Sequence, residues 1–599
     1  MKQAPIGIGN RLENRPKRTR VGFVEECLRI DAAVLRRSAV FRHGDGGRLI
    51  WTLGPTEIAT ARYAFTSQSA AALSLVRADE PGGTKPIDIG SRLELFVDQY
   101  LIDSLQGVTR ELHSPERKGA VFTFDRPWEG GATGCVTVFD DGIPGGVPHY
   151  RMYYVGVPMR GEYKDFPNIY GPAVVCTAES RDGIRWTRPS LELFKGEFID
   201  RYKRPFTVPS PNNIVWLGQG QQIHSNDNFV PFKDSNPDCK PEARYKAIGR
   251  WLNLPDPAPP EPDATGYPWP PGAGLVALQS PDGIHWSLMQ EERIIKKTET
   301  DAQNVAFWDP VRGEYVCYNR VWGPGRMRAI QTTSSKDFLN WSDPPKMIET
   351  SGAPREHLYN PAILPYFRAP HIQFGMIMRL VPGRVWVKEH PEHEVSDAVF
   401  MSSRDGVHFD RSFLEGWIRP GLDPDRKSWI HGNTAPAWGM LQTTPEEISV
   451  YWQDHSGQLK SMPQLQRGSL RTDGFVSVHA KYAGGEFTTR PLIFKGRELT
   501  MNFSTSAVGS VRVELQDEAG TAIPGFTLAD CPPIYGDSVE EVVKWNTGSD
   551  VSALAGKPVR LRFVMTDADL YSIRFHDPGE TLSMGRHSSV SVCSASLRG

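Results

Sequence analysis

The sequence predicts an all-β protein, a five-bladed β-propeller followed by a C-terminal β-sandwich, and three observations carry that prediction. The first is a repeat. Ser180-Arg181-Asp182-Gly183-Ile184-Arg185-Trp186, Ser280-Pro281-Asp282-Gly283-Ile284-His285-Trp286, Ser335-Lys336-Asp337-Phe338-Leu339-Asn340-Trp341 and Ser403-Arg404-Asp405-Gly406-Val407-His408-Phe409 share one S-x-D-[GF]-x-x-[WF] frame. A degenerate fifth copy is Thr472-Asp473-Gly474-Phe475. Steps of 100, 55 and 68 residues separate the first four copies, which suits one four-stranded blade with its loops, the first enlarged by an insertion. The second is texture: NVAFW and EYVCYNR, rich in β-branched and aromatic residues, flank the turn Asp309-Pro310-Val311-Arg312-Gly313 as two strands of a meander. The third is a change after about Val478, where LIFKGRELTMNFSTS, GSVRVELQDEAGTAIPGF and KPVRLRFVMTDADLYSIRF alternate apolar and polar residues, as a compact sandwich requires.

Taken in order, residues 1–88 read as a poorly ordered extension, Arg-, Gly- and Ser/Ala-rich by turns, with one short helix over about Val24 to Arg37. LELFVDQYLI (Leu93 to Ile102) reads as a strand that closes the propeller ring or packs across it. The propeller occupies 89–477. Its first blade carries GCVTVFD, YRMYYVG and VVCTAESRDGIRW, and its second PNNIVWLG, HSNDNFVPFKD, RYKAIGRW and GLVALQSPDGIHW. The third runs through NVAFW, EYVCYNR and RAIQTTSSKDFLNW. The fourth carries REHLYNPAILPY, IQFGMIMRL and DAVFMSSRDGVHF, and the fifth GNTAPAWGM, EEISVYWQD and QLQRGSLRTDGF. The insertion PDPAPPEPDATGYPWPPG is too dense in proline for a strand and reads as a surface loop. The sandwich occupies 478–576, and 577–599 form a loose Ser-rich tail.

Composition narrows the function. Lys plus Arg number 68 against 70 Asp plus Glu, so neither nucleic acid nor an acidic polymer is called for as a partner. Sixteen tryptophans suit blade cover positions and also carbohydrate stacking. Cys27, Cys135, Cys176, Cys239, Cys317, Cys531 and Cys593 are odd in number and scattered, against a disulfide framework or a zinc site. No apolar run is long enough to span a membrane, and none near the amino terminus has signal-peptide length, so the expectation is a cytoplasmic protein. No metal or other cofactor is called for, a structural calcium being left open, as is the oligomeric state.

In a propeller, acids just ahead of the innermost strands converge although far apart in the chain. Four stand there: Glu129 before VTVF, Asp227 in HSNDNFVPF, Asp301 in TDAQNVAF and Glu356 in REHLYNPAI. Glycosidic hydrolysis needs a proton donor and a second carboxylate, which makes these acids the catalytic candidates. The bland alternative is that each caps a loop or pairs with an arginine at the rim. Asp182, Asp282, Asp337 and Asp405, fixed in the repeated turn, read as holders of blade geometry. Trp128, Trp308, Tyr359 and Asn360 beside the acids, with His431 and Asn433 at the start of the fifth blade, are candidate sugar contacts, blade packing being the competing reading for the aromatic ones. No histidine spacing indicates a metal site.

The repeated turn, the acids ahead of inner strands and the trailing TRPLIFKGRELTMNFSTSAVGSVRVELQD resemble the five-bladed propeller glycoside hydrolases of families 32 and 43. From about Leu93 to Phe575 the chain is similar, more closely, to uncharacterised bacterial proteins labelled family 32-like. The resemblance implies three acids from the first three blades. Asp227 matches the tuning position, with Phe232-Lys233-Asp234 downstream, and Asp301 stands where a Glu acid is expected. The first-blade Asp has no clear counterpart, Glu129 in PWEGG being nearest, and Glu356 is a fourth-blade substitute. The implied activity is exo-acting hydrolysis of furanoside-type oligosaccharides, fructosyl or arabinosyl. Two rivals stand beside it. One is a sialidase-like hydrolase, because S-x-D-G-x-x-W resembles the Asp-box of six-bladed sialidases, which an arginine-poor mouth would dismiss. The other is a carbohydrate-binding propeller without catalysis.

Overall fold

The computed structural model describes residues 85–582 except 143–146, 158–172, 200–204, 218–227, 253–272, 297, 299–300, 344, 351, 389–392, 423–427 and 457–461, together with the backbone of two strands nearer the amino terminus. The chain divides into two compact units, Met1–Ala78 and Asp79–Gly599. In the first, Ala39–Arg42 pairs antiparallel with Arg48–Trp51. The helix expected over Val24 to Arg37 lies outside the described residues, as do the proline-dense insertion and the carboxyl-terminal tail beyond residue 582.

The second unit is all-β apart from two short 3-10 turns among its described residues, and contains a propeller of four-stranded antiparallel sheets. The first blade is Gly134–Asp140, Tyr150–Gly156, Val174–Ser180 and Trp186–Thr187. The second is Val230–Lys233, Tyr245–Leu252, Ala273–Ser280 and Ser287–Leu288. Val305–Asp309, Glu314–Gly323, Met327–Ser335 and Lys346–Met347 form the third. His357–Tyr366, Ala369–Pro382, Glu394–Ser403 and Phe409–Asp410 form the fourth. The fifth takes Ala435–Thr444, Glu447–Asp454 and Gln464–Arg471, and borrows Glu116–Thr123 from ahead of the first blade as its outer strand. This exchange ties the two ends of the ring together.

Each repeated turn is fixed by local side-chain chemistry. In the first blade Ser180 Oγ accepts from the Gly183 amide at 2.9 Å, Asp182 Oδ1 accepts from the amides of Ile184 and Arg185 at 2.9 and 2.7 Å, and the Trp186 indole donates to the Gly183 carbonyl. The same bonds recur at Asp282 and Asp337, and those of the serine and aspartate recur at Asp405, so these aspartates hold geometry as the sequence suggested. A tyrosine of the preceding blade then grips three of these turns. Tyr451 donates to Gly183, Tyr153 to Gly283 and Tyr318 to Gly406. The equivalent residue of the second blade is Ile248, and there the next turn carries Phe338 in place of glycine, both side chains lying in one apolar core.

At the hub the first and fifth inner strands touch, Thr137 opposite Trp438. Gly439 makes this approach possible: its φ is +115°, and a Cβ there would lie 1.8 Å from the Val138 carbonyl oxygen.

Two expectations are corrected. PNNIVWLG belongs to the first blade, where Ile214–Trp216 pairs with Val174–Ser180. LELFVDQYLI does not close the ring, since Glu94–Leu95 pairs with Val559–His576 in a ten-stranded C-terminal sheet. Its side chains alternate between cores: Leu93, Leu95 and Val97 pack with the propeller, while Phe96 and Leu101 pack with the C-terminal sheet. Ile87–Gly90, Ile102–Gln106 and Val108–Leu112 join the same sheet. Four strands from ahead of the propeller thus complete the module that follows it. Its longest strands, Glu498–Asp517 and Val559–His576, pair along most of their length.

Candidate active site

The leading ends of the inner strands are stitched into one ring. Gln303 Nε2 donates to the Val136 carbonyl at 2.7 Å, joining the third blade to the first, and the Gln303 amide donates to Asn360 Oδ1 of the fourth at 3.3 Å. Ser396 Oγ donates to the Asn433 carbonyl (2.6 Å), Ser456 Oγ to Gly131 (3.2 Å) and the Cys135 thiol to Asn228 Oδ1 (3.4 Å). Cys135 and Thr434, both within this ring, have φ of +52°, a conformation side chains rarely accept.

On this ring sits a closed circuit of charge and aromatic rings. The guanidiniums of Arg320 and Arg328 lie against Trp322 (5.0 and 5.2 Å to the ring centre) and against Tyr359 (4.8 and 5.1 Å). Asp301, 55% exposed at the side chain, pairs with Arg320, which is itself buried. Arg328 approaches Glu394 at 3.8 Å, and Glu394 accepts from His431 Nδ1 at 3.0 Å. His431 faces Tyr359 with ring centres 6.1 Å apart, and the Tyr359 hydroxyl donates to the Asp301 carbonyl at 2.9 Å. Asp301 and Glu394 are thereby two carboxylates tied to one aromatic and guanidinium stack, one through Arg320 and the other through Arg328.

The electrostatics distinguish these groups. The His431 hydrogen bond holds the Glu394 carboxyl below the usual range, burial opposing and Arg328 assisting. His357 is pushed below its usual value by burial and by Arg328, so it is neutral near pH 7. The Arg328 backbone amide donates to His357 Nδ1 at 3.3 Å, which places the ring proton of the neutral form on Nε2. Burial pushes the Tyr359 phenol up, keeping it a neutral donor.

Of the residues singled out by sequence, Asp301, Tyr359, Asn360 and His431 come together here. Asp227 lies outside the described residues, though its successor Asn228 is buried in the ring. Glu129 does not reach the mouth. It is buried beneath it, accepting two bonds from Arg188 at 2.9 and 2.8 Å and one from Tyr154 at 2.5 Å. Glu356 turns into its own blade and pairs with Arg379 and Arg411 at 2.8 and 2.6 Å, so both acids fit the ion-pair alternative. Trp128 is a core residue bonded to Asn213, and Trp308 packs edge-to-face on Tyr315 at 4.9 Å, away from the ring. Asn433 is fully buried and bonds the Ser456 amide.

Sequence reasoning missed Glu394, Arg320, Trp322 and Arg328 because it searched only ahead of inner strands. The second strand of a blade ends, and the third begins, at the same end of the hub. The hairpin NRVWGPGRMR, with three arginines and a tryptophan, was the available signal. At the rim, Trp386, 53% exposed, stacks on Trp429 with ring centres 5.7 Å apart, two residues ahead of His431. The mouth is therefore not poor in arginine, but Arg320 and Arg328 each face a carboxylate of the chain. Among the described residues no cluster of three or more His, Cys, Asp or Glu is placed to hold a metal ion, and no helix is long and apolar enough to cross a membrane.

No family model matches the chain, and no curated protein does. Among solved structures it is similar to a glycoside hydrolase family 43 arabinoxylan arabinofuranohydrolase from Bacillus subtilis, at 11% identity and a TM-score of 0.32 over 75% of this chain and 96% of that one. It is similar also to a family 32 β-fructofuranosidase from Bombyx mori (8% identity, TM-score 0.33, 78% and 95%) and to a β-1,2-mannobiose phosphorylase from Listeria innocua (10% identity, TM-score 0.33, 65% and 92%).

Proposed function

We propose that the protein is a glycosidase that works at the propeller mouth, exo-acting on furanoside-type (fructosyl or arabinosyl) or related oligosaccharides. The observation that carries this reading is the placement of Asp301 and Glu394 about one stack of Arg320, Arg328, Trp322 and Tyr359. Glycosidic hydrolysis uses two carboxyl groups in opposite protonation states. Glu394 is held as the anion, the state that a nucleophile or a base for water requires. The proton donor falls to Asp301 or to Asp227, which the sequence reading places one residue ahead of the ring at Asn228. Tyr359, Trp386 and Trp429 supply flat apolar faces of the kind that sugar rings stack on. The exo mode and the furanoside class rest on the sequence resemblance.

Release of reducing sugar from a panel of furanosides and pyranosides tests the reading. Activity lost in Asp301→Asn and in Glu394→Gln, with both variants still folded, is the expected result. Sugar binding without release by the wild-type protein would instead establish the carbohydrate-binding alternative.

A further inference from the structure

Arg328 and His357 present more donors than the described residues use. Arg328 is held in place by Trp322 and Tyr359, and its nearest carboxylate, Glu394, is 3.8 Å away, too far for a hydrogen bond. Glu394 gives its short contact to His431 instead, at 3.0 Å. Nη1 of Arg328 otherwise reaches only His357 Nδ1 at 3.4 Å, and among the described residues Nη2 has no hydrogen-bond partner, while Nε is buried without one. His357 spends Nδ1 as an acceptor toward the Arg328 amide, so its remaining proton is on Nε2, which bonds no described residue. Arg355, on the loop into the fourth inner strand, reaches across to the Pro324 carbonyl at 2.6 Å, at the tip of the hairpin that carries Arg328, and pairs with no described carboxylate.

The charge count points the same way. Asp301 is engaged by Arg320, and Glu394 is shared between His431 and a distant Arg328, so Arg328 and Arg355 leave an excess of positive charge on this side of the mouth. A planar guanidinium pinned between rings, with a neutral imidazole donor beside it, matches the geometry of an oxyacid anion better than that of a sugar hydroxyl.

We propose that Arg328 and His357 seat an anionic oxyacid group borne by the saccharide, a carboxylate or a sulfate ester, so that the protein acts on acidic glycans. This rests on the reading of the mouth as a saccharide site. Calorimetric titration of the full chain with galacturonate, glucuronate and galactose 6-sulfate against galactose and glucose tests it. Binding of an acidic sugar about 10-fold or more tighter than its neutral counterpart is expected, weakening as salt is raised. The uronates and the sulfate ester are separate arms, and the tighter arm identifies the group.

Arg328→Gln brings the affinity for the acidic sugar down to that for the neutral one measured on the same variant, and Arg328→Lys restores part of the difference. His357→Gln gives an independent loss should the arginine variant fail to fold. Equal binding of acidic and neutral sugars, or a preference that survives in both Arg328→Gln and His357→Gln, overturns the proposal. The readout needs no turnover, so the two claims fail separately. Acidic sugars bound while no acidic or neutral glycoside is hydrolysed sink the glycosidase reading alone, whereas neutral glycosides cleaved without anion preference sink this one alone.

Discussion

The Tyr451 hydroxyl donates to the Gly183 carbonyl 2.6 Å away, joining the last blade of the propeller to the repeated turn of the first across 268 residues of chain. Both residues are buried, so removing the hydroxyl leaves the carbonyl out of water's reach with only the longer bond from the Trp186 indole. Tyr451→Phe is expected to cost about 1–2 kcal/mol in chemical denaturation. Tyr153→Phe is expected to do the same by leaving the Gly283 carbonyl with the Trp286 indole as its one remaining donor, and it also strips a partner from Arg151. If either variant unfolds at the wild-type denaturant midpoint, these tyrosines are spectators of blade packing.

Between the first two blades, Asp141 collects Arg151 at 2.9 Å, Tyr245 at 2.5 Å, Lys233 at 3.2 Å and His149 at 3.4 Å. His149 is raised to about 9 by its hydrogen bonds to Asp141 and Glu179, with burial opposing. Burial works to raise Asp141, but its partners outweigh it and bring the carboxyl to about 2. A raised histidine stabilises fully below its unfolded value near 6.5 and loses that contribution as pH climbs through 9. A depressed aspartate stabilises above 3.8 and loses its contribution as pH falls toward 2. His149→Gln is therefore expected to be less stable than wild type by about 1–2 kcal/mol at pH 6, with the difference shrinking toward pH 9. A difference that grows with pH would give the histidine the opposite role.

The legible part of this fold was the part written locally. The S-x-D-G-x-x-W turn is readable because the serine and aspartate bond backbone amides within three residues, so its physics is contained in seven letters. What pairs across hundreds of residues was not readable in the same way. LELFVDQYLI looks like any half-buried strand, and nothing in it says that Glu94 will pair with Ile573 rather than with a blade edge. The acids show the same limit. Glu129, Asp301 and Glu356 stand at similar sequence positions, yet Arg188 and the pair Arg379 and Arg411 draw two of them into structural pairs, and only the third dimension reveals which.

Trp386 is broadly exposed beside Trp429 on the rim, where the loop after the fourth blade's second strand meets the approach to the fifth. On the glycosidase reading, an aromatic face there would meet sugars further along a chain. Trp386→Ala is expected to raise KM for longer oligosaccharides about 3- to 10-fold, corresponding to about 0.5–1.5 kcal/mol of ring contact, without changing kcat. Hydrolysis of a short aryl glycoside should be unaltered. An equal loss on both substrates would move the tryptophan into the reacting subsite.

Asp301 is half-exposed, but its partner Arg320 is buried, so Asp301→Asn, which leaves the guanidinium only a neutral acceptor, should cost about 1–3 kcal/mol while the protein still folds. Turnover should fall by about 100-fold or more if this carboxyl acts in proton transfer. Asp227→Asn, measured beside it, assigns the donor: the variant whose activity returns on substrates with good leaving groups has lost the acid.

The bond between His431 Nδ1 and Glu394 makes the acid limb of the pH profile a direct probe of which carboxylate must be ionised. His431 and Arg328 both favour the Glu394 anion, while partial burial disfavours it. Removing the imidazole in His431→Ala withdraws the largest of these influences and lets the carboxyl climb back toward its ordinary value near 4.5. If Glu394 works as the anion, the limb on which kcat/KM rises with pH must move to higher pH, and activity on its plateau must be largely kept. The alkaline limb, set by the proton donor, should stay where it is. His431→Gln, which keeps a donor of similar length, should leave the acid limb closer to wild type than the alanine variant does. An acid limb that stays put in His431→Ala would remove Glu394 from the ionising pair and leave Asp301 and Asp227 to supply both carboxyl groups.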